Sequence, residues 1–244
     1  MFARKTESDI LALSPYLEIR RSARARRLAL RVDAPGRKVR LVIPARMPLY
    51  KAYDFAEKHR EWIEDKIQDV PPPVPFAAGT VLPILGRPLK IDVQKAAMIS
   101  KITLTDTALL VPPGRASIET RIRRFLGEEA RRTLTALAQE KAAAIGKPLK
   151  SVQIRDTKSR WGSCSADGRV CFSWRLIFAP WESLDYVVAH EVAHLVHMNH
   201  GPKFWALCAE LSTDYAKGKQ WIKAHGADLL RYGEKSPAPA GSVY

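Results

Sequence analysis

No run of about 18 apolar residues occurs in the chain, which argues against a membrane-spanning helix. The opening stretch, MFARKTESDILALSPYLEIRR, lacks the apolar centre of a secretory leader, so a soluble, cytoplasmic protein is expected. Cysteine is scarce. Cys164, Cys171 and Cys208 form neither a CxxC pair nor an even set, which excludes a separate zinc ribbon and a disulfide framework and fits a reducing compartment. There is no internal repeat, and no compact helix-turn-helix or zinc-knuckle pattern marks a nucleic-acid reader.

What is present is a chain of 244 residues with 46% hydrophobic content, enough for one large domain or two small ones and too apolar for disorder. Its formal net charge of +15 suggests an anionic partner, nucleic acid foremost. The basic residues gather in Arg20 to Arg27, continuing through Arg31, Arg37, Lys38 and Arg40, and again in Arg115, Arg121, Arg123, Arg124, Arg131 and Arg132. Solvated strand and helix faces would account for the same pattern, so both readings stand at this point.

Alternating apolar positions predict a hairpin over residues 17–44, with Leu28, Leu30 and Val32 before a turn at Pro35-Gly36 and Val39, Leu41 and Ile43 after it. Helical spacing from Pro48 to Asp69 sets Tyr53, Ala56, Trp62 and Ile63 on one stripe, with His59 at the surface. The proline string of residues 71–75 reads as a stiff connector. Short strands at 81–85, 89–93, 102–104 and 109–111 suggest a small antiparallel sheet, and a long helix should run from Ser117 to Ile145, closed by Gly146 and Pro148. The expected organisation is an extension over 1–16, a basic β-rich region with one helix over 17–112, a second domain over 113–234 entered near Pro113, and a disordered tail over 235–244.

After a strand at 152–155, Asp167-Gly168 is a favoured two-residue hairpin loop. That loop would pair Cys164 with Cys171, which could then be oxidised together, and Trp161 with Trp174. It would place Trp161, Trp174, Phe172 and Val170 on a core face and Arg160, Gly162, Cys164, Cys171, Ser173 and Arg175 on the other. The second face is a candidate wall of a cleft whose strand edge could hold an extended peptide, with Arg160, Ser173 and Arg175 as substrate contacts; an ordinary solvent face is the alternative.

Four of the six histidines fall in the string HEVAHLVHMNH, residues 190–200. Residues four apart share a helix face about 6 Å apart along the axis, so His190 and His194 can reach one ion. Glu191, rotated about 100° from His190, leaves the ligand face and can take a proton from bound water. These are the parts of one catalytic zinc ion and its general base. Spacing favours His200 as the third ligand, with His197 and Glu210 as competitors. The chain would turn back at Asn199 in a left-handed conformation, and Gly201 and Pro202 would cap and begin a further helix. The motif helix is expected to start near Ser183. Tyr215, Arg175 and His197 are unranked candidates for an extra oxyanion donor.

The strings RDTKSRWGSCS, FSWRLIFAP, LDYVVAHEVAHLVHMNHGPKFW and WIKAHG, with the basic segment IRRSARARRLALRVD and the LGR hairpin, resemble the YgjP-like metallopeptidase family, related to SprT-like zincins. The resemblance spans about residues 17–230. It implies an α+β fold with a basic β-rich N-terminal region and a compact zincin-like core carrying a small antiparallel sheet and the HExxH helix. It also implies zinc on His190, His194 and His200, catalysis by Glu191, and a polypeptide substrate. Ser173 stands where relatives often carry Asn, and His197 replaces the glycine that a metzincin motif would need. A DNA-associated protein with a gated or structural zinc site, and a zinc hydrolase of a non-peptide amide, remain as alternatives.

Overall fold

The computed structural model describes residues 5–33, 37–94 and 99–233. They form two compact units that divide between Val74 and Pro75, within the proline string and not near Pro113.

The first unit comprises α1 (Glu7–Leu11), β1 (Leu17–Ser22), β2 (Ala29–Asp33), β3 (Lys38–Pro44), α2 (Leu49–Lys58) and α3 (Arg60–Gln68). Central β3 turns Val39, Leu41 and Ile43 inward against Ala52 and Ala56 of α2 and Ile63 and Ile67 of α3. β2 pairs with β3 antiparallel, as the hairpin pattern requires, while its expected turn at Pro35-Gly36 lies outside the described residues. Sequence patterning did not reveal that β1 joins the other edge in parallel, with Ile19 opposite Leu41. Residues 6–13 pack into this unit: Thr6 and Asp9 form a capping box for α1, and Ile10 and Leu13 are buried in the same core. The single expected helix breaks at His59, whose ring Nδ1 lies 2.7 Å from the Phe55 carbonyl. Trp62 leaves the apolar stripe and is exposed, because one position before buried Ile63 places it about 100° around α3 from the face that Ile63 and Ile67 bury.

The second unit begins with β4 (Val81–Ile84), β5 (Arg87–Val93), β6 (Thr103–Leu104) and β7 (Ala108–Val111), in the order β4-β5-β7-β6. The expected antiparallel sheet is mixed: β7 runs parallel to β5 because β6 takes the outer position and returns the chain through a hairpin. Leu85 and Gly86, at φ 51° and 77°, make the two-residue turn from β4 to β5, and Leu85 donates its N–H to the Ile177 carbonyl at 2.7 Å.

α4 (Ile118–Ala144) follows its predicted limits: Ser117 accepts the Thr120 N–H at its start, and Gly146, at φ +63°, lies just beyond its end. Then come β8 (Ser151–Arg155), β9 (Gly162–Cys164), β10 (Arg169–Ser173), a 3₁₀ turn over Trp174–Phe178, α5 (Trp181–Ala193), α6 (Pro202–Leu211), α7 (Tyr215–His225) and a final 3₁₀ turn over Gly226–Arg231. β10 lies between β8 and β9. α5 starts at Trp181, two residues before the expected Ser183 cap, and all of it except Trp181, Glu182 and His190 is buried.

α5 is held from two sides. Gly218 of α7 passes so close that a Cβ there would lie 2.2 Å from the Glu182 carbonyl oxygen, so only glycine fits this crossing. On α4, buried Lys141 pairs with buried Asp185 at 2.6 Å, an ion pair that is not an aligned hydrogen bond. Asp185 also accepts the Thr213 N–H at 2.7 Å, and Lys141 donates to the Leu211 carbonyl at 2.5 Å, so the two charges tie α4 and α5 to the α6–α7 connection. Asp185→Asn strands the Lys141 ammonium and should destabilise the unit by about 3–5 kcal/mol, seen as a lower urea midpoint.

Candidate metal centre and active site

The last turn of α5 and the connection to α6 bring His190, His194 and His200 together, with one ring nitrogen from each within 4.8 Å of the others. It is the one such group among the described residues; His197 and exposed Glu210 are outside it. The Nε2 atoms of His190 and His200 face each other at 3.1 Å. Two nitrogens on one tetrahedral ion, each bonded at about 2.0–2.1 Å, would stand about 3.3 Å apart, so the donor set and spacing suit zinc.

The path to His200 differs from the expected one. α5 ends at His194, its C-cap residue, and the chain tightens through bonds from Leu195 to Val192 and from Val196 to Ala193. Asn199 does not take the left-handed conformation; the turn is already under way at His194. Gly201 and Pro202 do open α6 as anticipated. The His197 carbonyl lies 3.0 Å from His194 Nδ1, which favours the tautomer with a free Nε2.

Phe204 and Trp205, in the first turn of α6, wall in the cluster, a role the apolar stripe did not reveal. Phe204 is fully buried, with its ring centroid 4.9, 4.5 and 4.7 Å from those of His190, His194 and His200. Trp205 stacks on His200 at 5.4 Å. Burial first, then His194, His200 and Lys219, hold the His190 imidazole down to about 4, so it is neutral at ordinary pH and able to ligate.

Glu191 is 6% exposed. Burial pushes its carboxyl up to about 7 against a smaller opposite pull from Arg160. Gly162 on edge strand β9 makes this burial achievable: a Cβ there would meet Glu191 Cγ at 2.5 Å and Oε1 at 2.6 Å. Beside them lies an apolar cleft of about 190 Å³, lined by Trp161, Tyr186, Val187 and Ile222 together with Gly162, His190 and Glu191.

The hairpin register explains why Gly162 faces the helix. The loop is Ala166-Asp167-Gly168, one residue longer than expected, with Gly168 at φ +81°. Ser165 Oγ accepts the Arg169 N–H and donates to Asp167, whose carboxylate accepts from Arg169 and Lys150. These bonds hold Asp167 below the usual carboxylate range and stabilise the wider loop. Cys164 therefore opposes Val170, and Gly162 opposes Phe172. A one-residue slip exchanges faces. Cys164 and Cys171 are not cross-strand partners, and all three cysteines are free thiols.

The same slip parts Trp161 from the core face and brings it to the cleft. Ser173 and Arg175 are 0% exposed and cannot line a solvent-facing wall. Arg175 instead donates to Asp156 at 2.9 Å and to the Tyr232 carbonyl at 2.5 Å. Of the three expected substrate contacts, Arg160 is exposed and near enough to act on the Glu191 charge. Tyr215, bonded to Lys219 at 2.6 Å, lies in the aromatic shell, 5.7 Å from the Tyr186 ring centroid.

Because the folded Glu191 pKa lies above its ordinary 4.5, its contribution to stability is full below that value and is lost as pH rises through about 7. In metal-free protein, Glu191→Gln should therefore stabilise the fold at pH 8 by about 2–3 kcal/mol, with the gap shrinking toward pH 4.5. Urea unfolding with chelator at the two pH values measures this; equal gaps would refute the burial argument.

The sequence model of the YgjP-like, metallopeptidase domain matches residues 26–225. Searches of curated proteins and of solved structures returned no match. With most of the chain inside that match, the histidine cluster and Glu191 included, the protein belongs to the YgjP-like family of metallopeptidase domains.

Proposed function

We propose that this protein is a zinc-dependent peptidase in which His190, His194 and His200 hold one ion and Glu191 is the general base. The observation that carries the reading is the convergence of three imidazole nitrogens within 4.8 Å beside a carboxylate buried against Gly162. When bound, zinc would supply an acidified water and a Lewis acid for the scissile carbonyl.

The remaining work falls to the chain's own groups. Glu191 takes the proton at a carboxylate oxygen and later returns it to the leaving amine. Its low exposure keeps bulk water from competing for that proton. The His197 carbonyl holds the His194 ring, and Phe204 and Trp205 prevent the imidazoles from rotating away. β9 is the free edge of its sheet and lies against α5, so an extended polypeptide could pair with its backbone while a side chain enters the apolar cleft. Arg160 is the expected contact to that polypeptide. A non-peptide amide would use the same groups, and cleavage of unfolded protein separates the two substrates.

Glu191→Gln should retain stoichiometric zinc by elemental analysis and lose at least about a hundredfold in the rate of unfolded-casein cleavage. Full turnover by this variant would refute the mechanism. Gly162→Ala should keep the melting temperature within a few degrees, since the Glu191 side chain can swing aside. Displacing the base should nevertheless cost about a hundredfold in kcat. Unchanged kcat would show that the close approach does not position the carboxylate.

A further inference from the structure

We propose that the outward face of the three-stranded sheet in the first unit binds the phosphate backbone of a nucleic acid. The alternation that turns Val39, Leu41 and Ile43 inward turns the intervening side chains out. Arg20 on β1 and Arg31 on β2 flank the outward residues Arg40 and Val42 of central β3. The β1–β2 connection adds Arg24 and Ala25, completing a concavity of about 280 Å³ lined by Arg20, Arg24, Arg31 and Arg40 together with Ser22, Ala25 and Val42.

The charge balance of this face points to a polyanion. Between Leu17 and Arg40 the chain carries eight arginines and one lysine against two acids, Glu18 and Asp33. Two of the eight lie apart from this face: Arg21, opposite inward Ile43 and paired with Glu7, and Arg37, bonded to the Val70 and Ile67 carbonyls. Both acids are spent on Arg40, at 3.0 and 3.2 Å. Arg20, Arg24, Arg26, Arg27 and Arg31 are exposed, and none has an ion-pair partner among the described residues. Arg31 lies directly opposite Arg40 in the register, a like-charged cross-strand pair that weakens the sheet. Such a face costs stability in isolation and gains a partner's phosphates.

The chemistry of the face favours phosphate over the other anionic surfaces. Planar guanidinium forks match phosphate oxygens in pairs, and this stretch uses arginine almost to the exclusion of lysine. Among the described residues the outward strand positions carry Ala29, Val42 and Pro44 as their apolar side chains, with no aromatic ring or leucine to enter a bilayer. Among the described residues no aromatic ring lines the concavity, so bases would not stack there and binding should follow the backbone with little sequence preference.

The test is fluorescence anisotropy of the full chain with a labelled single strand of about 20 nucleotides and with the matching duplex, over a salt series. A triple variant, Arg20→Ser with Arg24→Ser and Arg31→Ser, is compared with an equal charge loss on α4, Arg124→Ser with Arg131→Ser and Arg132→Ser. The sheet-face variant should bind at least about tenfold more weakly and lower the salt slope by about 2, at 0.7–0.9 per phosphate contact. Its melting temperature should hold or rise, because a repulsive cluster is being relieved. Arg24→Ser alone, in the connection outside the strands, should show a smaller loss in the same direction and guards against a misfolded sheet. The α4 variant should bind as the parent does. Equal weakening by both triples, no binding by the parent, or equally tight binding to phosphatidylserine vesicles or polyglutamate would each overturn the proposal.

Discussion

The second unit is organised by the burial of α5 on nearly every side. An apolar helix in that position has no solvent face on which to place Asp185 or Glu191, and the two carboxylates are accommodated differently. Asp185 is neutralised by Lys141, which joins α4 to α5 and the following connection. Glu191 receives no such ion pair among the described residues; the Arg160 charge only moderates the effect of burial. One charge therefore serves cohesion, while the other is left proton-hungry beside three imidazoles.

The three-histidine group exploits the end of that helix. His190 is still helical and His194 is the C-cap, so the two share a face, and the tightened turn after His194 frees the chain to return His200 to the same point. The turn also frees the His197 carbonyl to orient His194. α6 then starts immediately, and Phe204 and Trp205 lean on the rings they follow in sequence. The three imidazoles and the walls that hold them thus come from about one continuous stretch, with little dependence on distant parts of the chain.

Much of this local order was legible. The i, i+4 histidines, the glycine and proline opening α6, and the caps of α4 are short-range features whose physics acts within a few residues. The hairpin was legible in kind and not in register. Asp167-Gly168 does mark the turn, but side-chain bonds from Ser165 and Asp167 favour a loop one residue longer. That difference exchanged the faces, moved Trp161 to the cleft and Gly162 to the helix, and broke the Cys164–Cys171 pairing. Arg175, polar and so assigned to a surface, is buried because Asp156 and two backbone carbonyls satisfy its guanidinium.

The amino-acid order by itself marked His190 and His194 as candidate ligands and Glu191 as candidate base, because helix periodicity fixes their relative directions before any packing occurs. The third position stayed open between His200, His197 and Glu210 until the turn after α5 brought His200 to the other two. It also marked the family. Tertiary structure alone decided how strand β1 joins its sheet, which way β7 runs, what neutralises Asp185, and how closely β9 approaches α5. Those outcomes depend on contacts between residues far apart in the chain, where competing registers have similar local patterns and only burial in the assembled core separates them.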